Sequence, residues 1–306
     1  MLTTISSVLG LQSEVDTMIA HLILVHCHPA QLAKLVKALI HPRSAVYIHV
    51  DKKAAIEPFV DAVGALPNCH FVKNRSSVNW GGYSMVKATL HSFSEIAESG
   101  VDYTFINLLS GADYPLRPAG HFHAYLAHHR GKSFFEFETE GSSWWHKAKS
   151  RFTHYHFTDV RLRGKYLFQR LVNTVTKERK PPGGLTIVGR SQWFTIAMQH
   201  VNYILAYIRN NPAIERFFKY TWGPDELFFQ TILLNSIYRD DIINDNLRYI
   251  DWSDGLPSPK TLSETDFCNL QASGKWFARK LHVDISATLM DRIDNELLTD
   301  HNVAEQ

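Results

Sequence analysis

Residues 20–26 read AHLILVH and residues 45–50 read AVYIHV. Each is a nearly unbroken apolar run of strand length, the pattern of strands covered on both faces, as in parallel sheets. Between them, after Pro29, Leu32, Leu35, Val36 and Leu39 recur at spacings of three and four and predict a helix. A further helix over 54–63 and a strand over 70–73 complete a βαβαβ series, which requires an open α/β sheet with crossover helices. The alternation continues outward. Residues 83–98 are amphipathic through Val86, Leu90, Phe93 and Ala97, 103–108 are apolar, and 133–138 (SFFEFE) alternate like a strand. A strand near 185–188, a helix over 194–209 and a helix over 224–236 follow, with Pro224 in a first turn, where its missing N–H is not needed.

The chain has 306 residues, 45% hydrophobic and 20% charged, enough to bury a full core without staples. Lys and Arg number 32 against 30 Asp and Glu, a net charge of +2, which argues against a nucleic-acid binder. The charge is uneven: 141–190 hold eleven Lys/Arg and two acids, whereas 281–306 hold one Arg and six acids. A local anionic partner is therefore expected. Residues 141–183 are basic, aromatic and His-rich, and read as an active-site insertion within a single domain spanning 18–306. Residues 1–17 lack a basic segment and a long apolar stretch, and read as a loose leader rather than a secretory signal. Cys27, Cys69 and Cys268 are too few and scattered for a disulfide framework or a zinc ribbon, which suggests a reducing, cytoplasmic setting. No run approaches the ~18 apolar residues of a spanning helix.

Ligands bind open α/β sheets at the carboxyl ends of the strands. Four polar clusters fall there: His26-Cys27-His28, His49 to Lys53, Ser110 to Asp113, and Glu136, Glu138 and Glu140. The His26/His28 pair admits a metal-dependent α/β hydrolase as an alternative, although no HExxH or CxxC accompanies it. Dinucleotide, P-loop and nucleophile-elbow signatures are absent. So is an Asp-x-Asp pair after an apolar strand, the usual holder of a divalent ion for nucleotide-sugars.

Six segments carry a resemblance: His49 to Lys53, Trp80-Gly81-Gly82, Leu109 to Leu116 (LSGADYPL), Gly189 to Trp193 (GRSQW), Pro224 to Thr231 (PDELFFQT) and Phe277-Ala278-Arg279-Lys280. In this order they resemble the core-2/I-branching N-acetylglucosaminyltransferase family, which includes the peptide O-xylosyltransferases. The likeness runs from about Ala20 to Leu281. It implies a GT-A-like nucleotide-sugar fold, a UDP-sugar donor, an inverting transfer and no divalent metal or other cofactor.

The implied roles agree with the chemistry. A single displacement at the anomeric carbon needs one base for the acceptor hydroxyl and positive charge for the departing diphosphate. Glu226 matches the family's glutamate base, although Asp225 and Glu226 equally suit the positive end of a helix. Lys280, with Arg279, matches the basic pair at the diphosphate, and Lys260 stands where a second cation, an arginine, is expected. Asp51 matches the acid near the uracil, with His26, Val50 and Lys53 beside it; an N-cap of the following helix is the other reading of Asp51. Trp80, Gly81, Ser110 and Asp113 border the implied donor pocket. Glu138, Trp145, Lys149, Arg151, Trp222 and Trp252 offer the carboxylate, cations and flat rings that an acceptor sugar needs. The expected partners are a UDP-sugar and a glycan or glycolipid acceptor, with GlcNAc or xylose transferred, no nucleic acid, and peripheral contact with a membrane. A binding protein that keeps the cleft without turnover is a further alternative.

Overall fold

The computed structural model describes residues 17–299. The leader expected over 1–17 lies outside them except for Thr17, which is buried. The chain runs β1 (Ile19–Val25), α1 (Pro29–Leu39), β2 (Ser44–Val50), α2 (Glu57–Val63), β3 (Cys69–Phe71), α3 (Tyr83–Ala97), β4 (Phe105–Ser110), β5 (Asp113–Pro115) and α4 (Ala119–Ala127). It continues through β6 (Ser133–Phe135), β7 (Phe137–Glu138), α5 (Ser143–Thr153), α6 (Lys165–Val175), β8 (Gly189–Arg190), β9 (Thr195–Ala197), α7 (Met198–Asn210) and α8 (Pro212–Phe218). The last elements are α9 (Phe228–Leu234), β10 (Ile242–Asn244), β11 (Arg248–Ile250), α10 (Phe267–Ala272), β12 (Phe277–Arg279) and α11 (Val283–Glu296).

Seven strands form the central sheet in the order β10-β6-β9-β4-β1-β2-β3, parallel except for β9. This is the α/β class the two apolar runs predict. β1 lies between β2 and β4, and its side chains alternate between two cores. Ile19, Ile23 and Val25 pack with Leu32, Leu35 and Val36 of α1 on one face. Ala20, Leu22 and Leu24 pack with Val86, Phe93 and Ile96 of α3 on the other. Every residue of β1 and β2 is buried, so neither run could alternate in polarity. A three-stranded sheet, β11-β12-β5, and the β7-β8 pair sit beside the main sheet.

Several elements differ from expectation. The alternating run 133–138 divides between two sheets, β6 and β7. The strand expected near 185–188 forms instead at Gly189–Arg190, opposite β7. The helix expected to start at 194 starts at Met198, because Thr195–Ala197 pair antiparallel with both β4 and β6. The helix expected over 224–236 is a 3₁₀ turn at Pro224–Glu226 followed by α9, with the break at Leu227 (φ −122°, ψ −36°). The basic insertion holds two helices: α5 buries Trp145, Ala148 and Phe152, while α6 buries nothing.

Four histidines among the described residues are buried in this framework, one of them His49, whose Nε2 accepts from Ser76 N (2.9 Å). His21 shares a hydrogen bond with Asn107 (3.1 Å), His123 with Ser44 (2.8 Å) and His200 with Ser133 (2.7 Å). Burial, the largest cause for each, holds His21 and His123 down to about 3 and His200 to about 4. Their folded pKa values lie below the unfolded value near 6.5, so the unfolded chain takes up protons that the folded one refuses. Stability is therefore complete above about pH 6.5 and declines as the pH falls below it. The midpoint of thermal unfolding should drop between pH 7 and pH 5, above the range in which most carboxylates titrate; a midpoint constant across that interval would show that these rings do not stay neutral.

Candidate active site

The polar clusters gather at the carboxyl edge of the central strands. Asp51 follows β2, its N–H bonded to Val25 O (2.8 Å), and Gly111, after β4, donates to Leu24 O (3.1 Å). Val50 is buried beneath this edge and His26 is exposed on it. The Asp51 carboxylate does not cap a helix, because α2 begins only at Glu57. It accepts from the N–H groups of Lys53 (2.8 Å) and Val78 (3.2 Å), and Lys53 Nζ stands 3.8 Å away. Lys53 Nζ in turn donates to Val78 O and reaches Asn79 Oδ1 at 3.5 Å, which ties the Asp51 loop to the stretch leading to Trp80.

From there the backbone leads to the Pro224–Glu226 turn. Gly81 O accepts from Gly223 N (2.8 Å), and the Trp80 and Trp222 rings meet edge to face at 5.2 Å. Trp80 is 68% exposed, so it is no core tryptophan. Arg151, on α5, is the hub. Its guanidinium donates to Trp222 O (3.1 Å) and Gly223 O (2.8 Å), lies over the Trp222 ring at 4.8 Å, and pairs with Glu226 Oε2 at 2.8 Å. Gly223 has φ +56°, and an added Cβ would stand 2.3 Å from Arg151 Nη2. Glycine is thus required both for the turn and for the arginine's approach.

Glu226 is half-exposed, whereas its neighbour Asp225 is buried with Oδ1 unpartnered. Burial raises the Asp225 pKa, and the Glu226 charge adds to the rise. Glu138 arrives through the β7-β8 pair, where it opposes Gly189. Arg190 bridges Glu136 (2.6 Å) and Glu138 (3.1 Å).

On the opposite side of the sheet edge, Arg279 is turned inward. It donates to Ser110 Oγ, pairs with Asp113 at 3.3 Å and lies over Trp193 at 4.4 Å. Asp113 is itself buried, so the charge of Arg279 is committed inside, and Lys280 is the half-exposed member of the pair. Lys280 Nζ lies 3.4 Å from Ser258 Oγ. Lys260 pairs with Asp266 (2.7 Å) and lies 3.9 Å from Asp251.

The remaining candidates scatter. Trp145 is buried, its indole donating to Ile187 O (2.9 Å), which makes it a core residue. Lys149 is exposed on α5, and Trp252 is exposed beyond β11. His28 stacks edge-on against His282 at 4.5 Å. Among the described residues, no group of three or more His, Cys, Asp or Glu is placed to hold a metal ion. Two contributors escaped the sequence reading. Asp159 accepts from Ser84 N (2.8 Å), Ser84 Oγ (2.7 Å) and Asn79 Nδ2 (2.9 Å), clamping the start of α3 beside Trp80. Arg190 stood within the GRSQW segment, and the carboxylates at 136 and 138 were the signal for it.

A mostly parallel central sheet flanked by helices, with polar clusters along its carboxyl edge, is a GT-A-like architecture. The family model of the Core-2/I-branching enzymes matches residues 19–273, and the chain belongs to that family, one of glycosyltransferases. Human xylosyltransferase 2 is 28% identical over 302 residues, covering 91% of this chain and 33% of that protein. Rat xylosyltransferase 1 is 26% identical over 303 residues, covering 91% of this chain and 35% of that protein. The chain thus spans about a third of the length of these curated relatives.

The contact that fixes the Glu226 turn is backbone on backbone. A Cβ at Gly189 would stand 2.0 Å from Glu226 O and 2.9 Å from Leu227 Cα. Gly189→Ala should therefore displace the Glu226 turn and destabilise the fold by roughly 1–3 kcal/mol, the usual cost of overpacking. A melting temperature equal to the parent's would show that β8 does not press on this turn.

Proposed function

We propose that the chain is an inverting, metal-independent glycosyltransferase that moves a sugar, GlcNAc or xylose, from a UDP-sugar to a hydroxyl of a glycan or glycolipid. The observation that carries this reading is the Glu226 carboxylate, held by Arg151 beside Trp222 on the rim formed with Trp80. The acceptor oxygen attacks the anomeric carbon as the bond from that carbon to the diphosphate oxygen breaks, and the hydroxyl proton passes to Glu226. The leaving diphosphate takes the bonding electrons, and Lys280 offsets its charge. Asp51 and Lys53 hold the nucleoside end, and the Trp80 and Trp222 faces are suited to stacking on sugar rings. Membership in the Core-2/I-branching family and likeness to two xylosyltransferases support the class of reaction and the two candidate sugars.

Glu226→Gln keeps size and hydrogen bonding to Arg151 but removes basicity. Transfer from the UDP-sugar should fall at least about a hundredfold, with little change in UDP-sugar affinity or melting temperature. The parent's activity should persist in excess EDTA. Near-normal turnover of the variant would place the base elsewhere, and a titratable requirement for manganese or magnesium would end the metal-independent reading.

Lys280→Ala isolates the leaving-group charge. Losing one charge-assisted hydrogen bond to phosphate should weaken UDP binding about ten- to a hundredfold. Titration calorimetry with UDP measures this directly, and an unchanged affinity would move the diphosphate away from β12.

A further inference from the structure

Helix α6 is amphipathic in the reverse sense for a helix on a globular protein. Two of its polar side chains, Gln169 and Asn173, face the body of the molecule. Gln169 Oε1 accepts from Phe157 N (3.0 Å), and the Asn173 side chain exchanges two hydrogen bonds with the Tyr155 backbone (2.8 and 2.9 Å). Most of its apolar side chains face outward, although Phe168 also meets the Phe157 ring at 5.3 Å. Leu167, Leu171 and Val175 recur every four residues, hence on one stripe, and are 75%, 61% and 74% exposed. Tyr166 and Phe168 flank that stripe, also exposed, and Leu162 continues it in the preceding turn. No residue of α6 is buried. In water such an arrangement leaves the strongest driving force for packing unused.

The surroundings say what would use it. Residues 161–180 carry seven Lys/Arg and one acid. Arg179 is drawn inside, where it donates to the backbone oxygens of His154, Tyr220 and Phe217. Arg161, Arg163, Arg170, Lys177 and Lys180 are exposed around the stripe. Apolar residues with aromatics at the edge, set in basic side chains on a helix of 11 residues, fit a surface that is greasy beneath and anionic on top. No helix among the described residues is long and apolar enough to cross a membrane. We infer that α6 is an interfacial anchor that lays its Leu167–Leu171–Val175 stripe into the headgroup boundary of an anionic lipid bilayer, with the surrounding arginines and lysines on lipid phosphates.

The anchor is coupled to the candidate site. The segment that holds α6, Tyr155 to Asp159, also clamps Asn79 and Ser84 through the Asp159 carboxylate, next to Trp80. A bilayer docked on α6 would therefore lie beside the Trp80–Trp222 rim, where an acceptor carried by a lipid could enter.

The test is co-sedimentation of the full chain with vesicles of phosphatidylcholine alone, or of phosphatidylcholine and phosphatidylglycerol in equal parts. Binding is read without turnover, so this inference and the transfer reading fail separately. The chain should bind the anionic vesicles and scarcely the neutral ones, and the binding should weaken as salt is raised. The exposed double substitution Leu167→Gln/Leu171→Gln should lower that binding at least about tenfold at an unchanged melting temperature. Arg161→Ser/Arg163→Ser should lower it as well. Failure to bind anionic vesicles, or equal binding by the Leu167→Gln/Leu171→Gln variant, would overturn the assignment. So would a dimer of the parent chain in lipid-free solution that the same variant dissolves, since a second copy would then cover the stripe.

Discussion

A single buried guanidinium joins the two sheets on which everything else is arranged. Arg248, at the start of β11, is sealed from solvent. It donates to Asn107 Oδ1 and Leu108 O (3.0 Å) of β4, to Phe194 O (3.0 Å) and Thr195 Oγ1 (3.1 Å) at β9, and to its own neighbour Asn246 O. Taking such a charge out of water costs several kcal/mol unless hydrogen bonds replace the solvent. Here all but Nε have partners. Burial lowers its pKa to about 10, with Asp113 and Asp245 opposing the fall, so the group stays charged at neutral pH. The small sheet can dock only in the position that satisfies these bonds. β12, which carries Arg279 to the edge of the site, pairs in register with β11 (Ile250↔Arg279), so its place follows from that of Arg248.

The two ends of the candidate site are built on the same electrostatic plan. At each, an arginine and a carboxylate neutralise one another: Arg279 with Asp113, and Arg151 with Glu226. The first pair is interior and serves the fold. The second opens to solvent, with aromatic rings around it. Burial favours the neutral form of Asp225, and the neighbouring Glu226 charge adds to that preference. Lys53, after β2, and Lys280, after β12, are only loosely engaged, by Asp51 at 3.8 Å and by Ser258 at 3.4 Å.

The sheet was legible because two-sided burial leaves a mark in sequence: β1 and β2 are apolar but for His21, Ser44, Tyr47 and His49, whose polar groups are taken up inside. β9 was not legible. Thr195–Ala197 runs straight into the apolar periodicity of α7, and only its placement between β4 and β6 makes it a strand. The turn at Glu226 was misread for a similar reason, since Phe228 onward is helical and nothing local announces the break at Leu227. At the site, residue types were readable but partners were not. Nothing in the sequence says that Arg151 lies against Glu226, or which of Arg279 and Lys280 turns inward; both follow from long-range packing. Trp145 shows the converse. Its place in a basic, aromatic stretch suggested a sugar contact, yet its indole is spent on Ile187 O in the core.

The sheet order also sets a timetable for assembly. β1, β2 and β3 are close in sequence, and β4 adds beside β1 without any later residue, so the amino-terminal half can pair as it is made. The far edge of β4 must wait for β9, and the Asn107–Arg248 bond spans 141 residues. Loop closure over such distances is slow, because its entropy is lost before any contact is gained. During synthesis, then, β4 is for a time an open, apolar edge strand, the kind of surface that recruits other chains. The half of the molecule that carries Glu226 comes last, and its arrival is also what closes that edge.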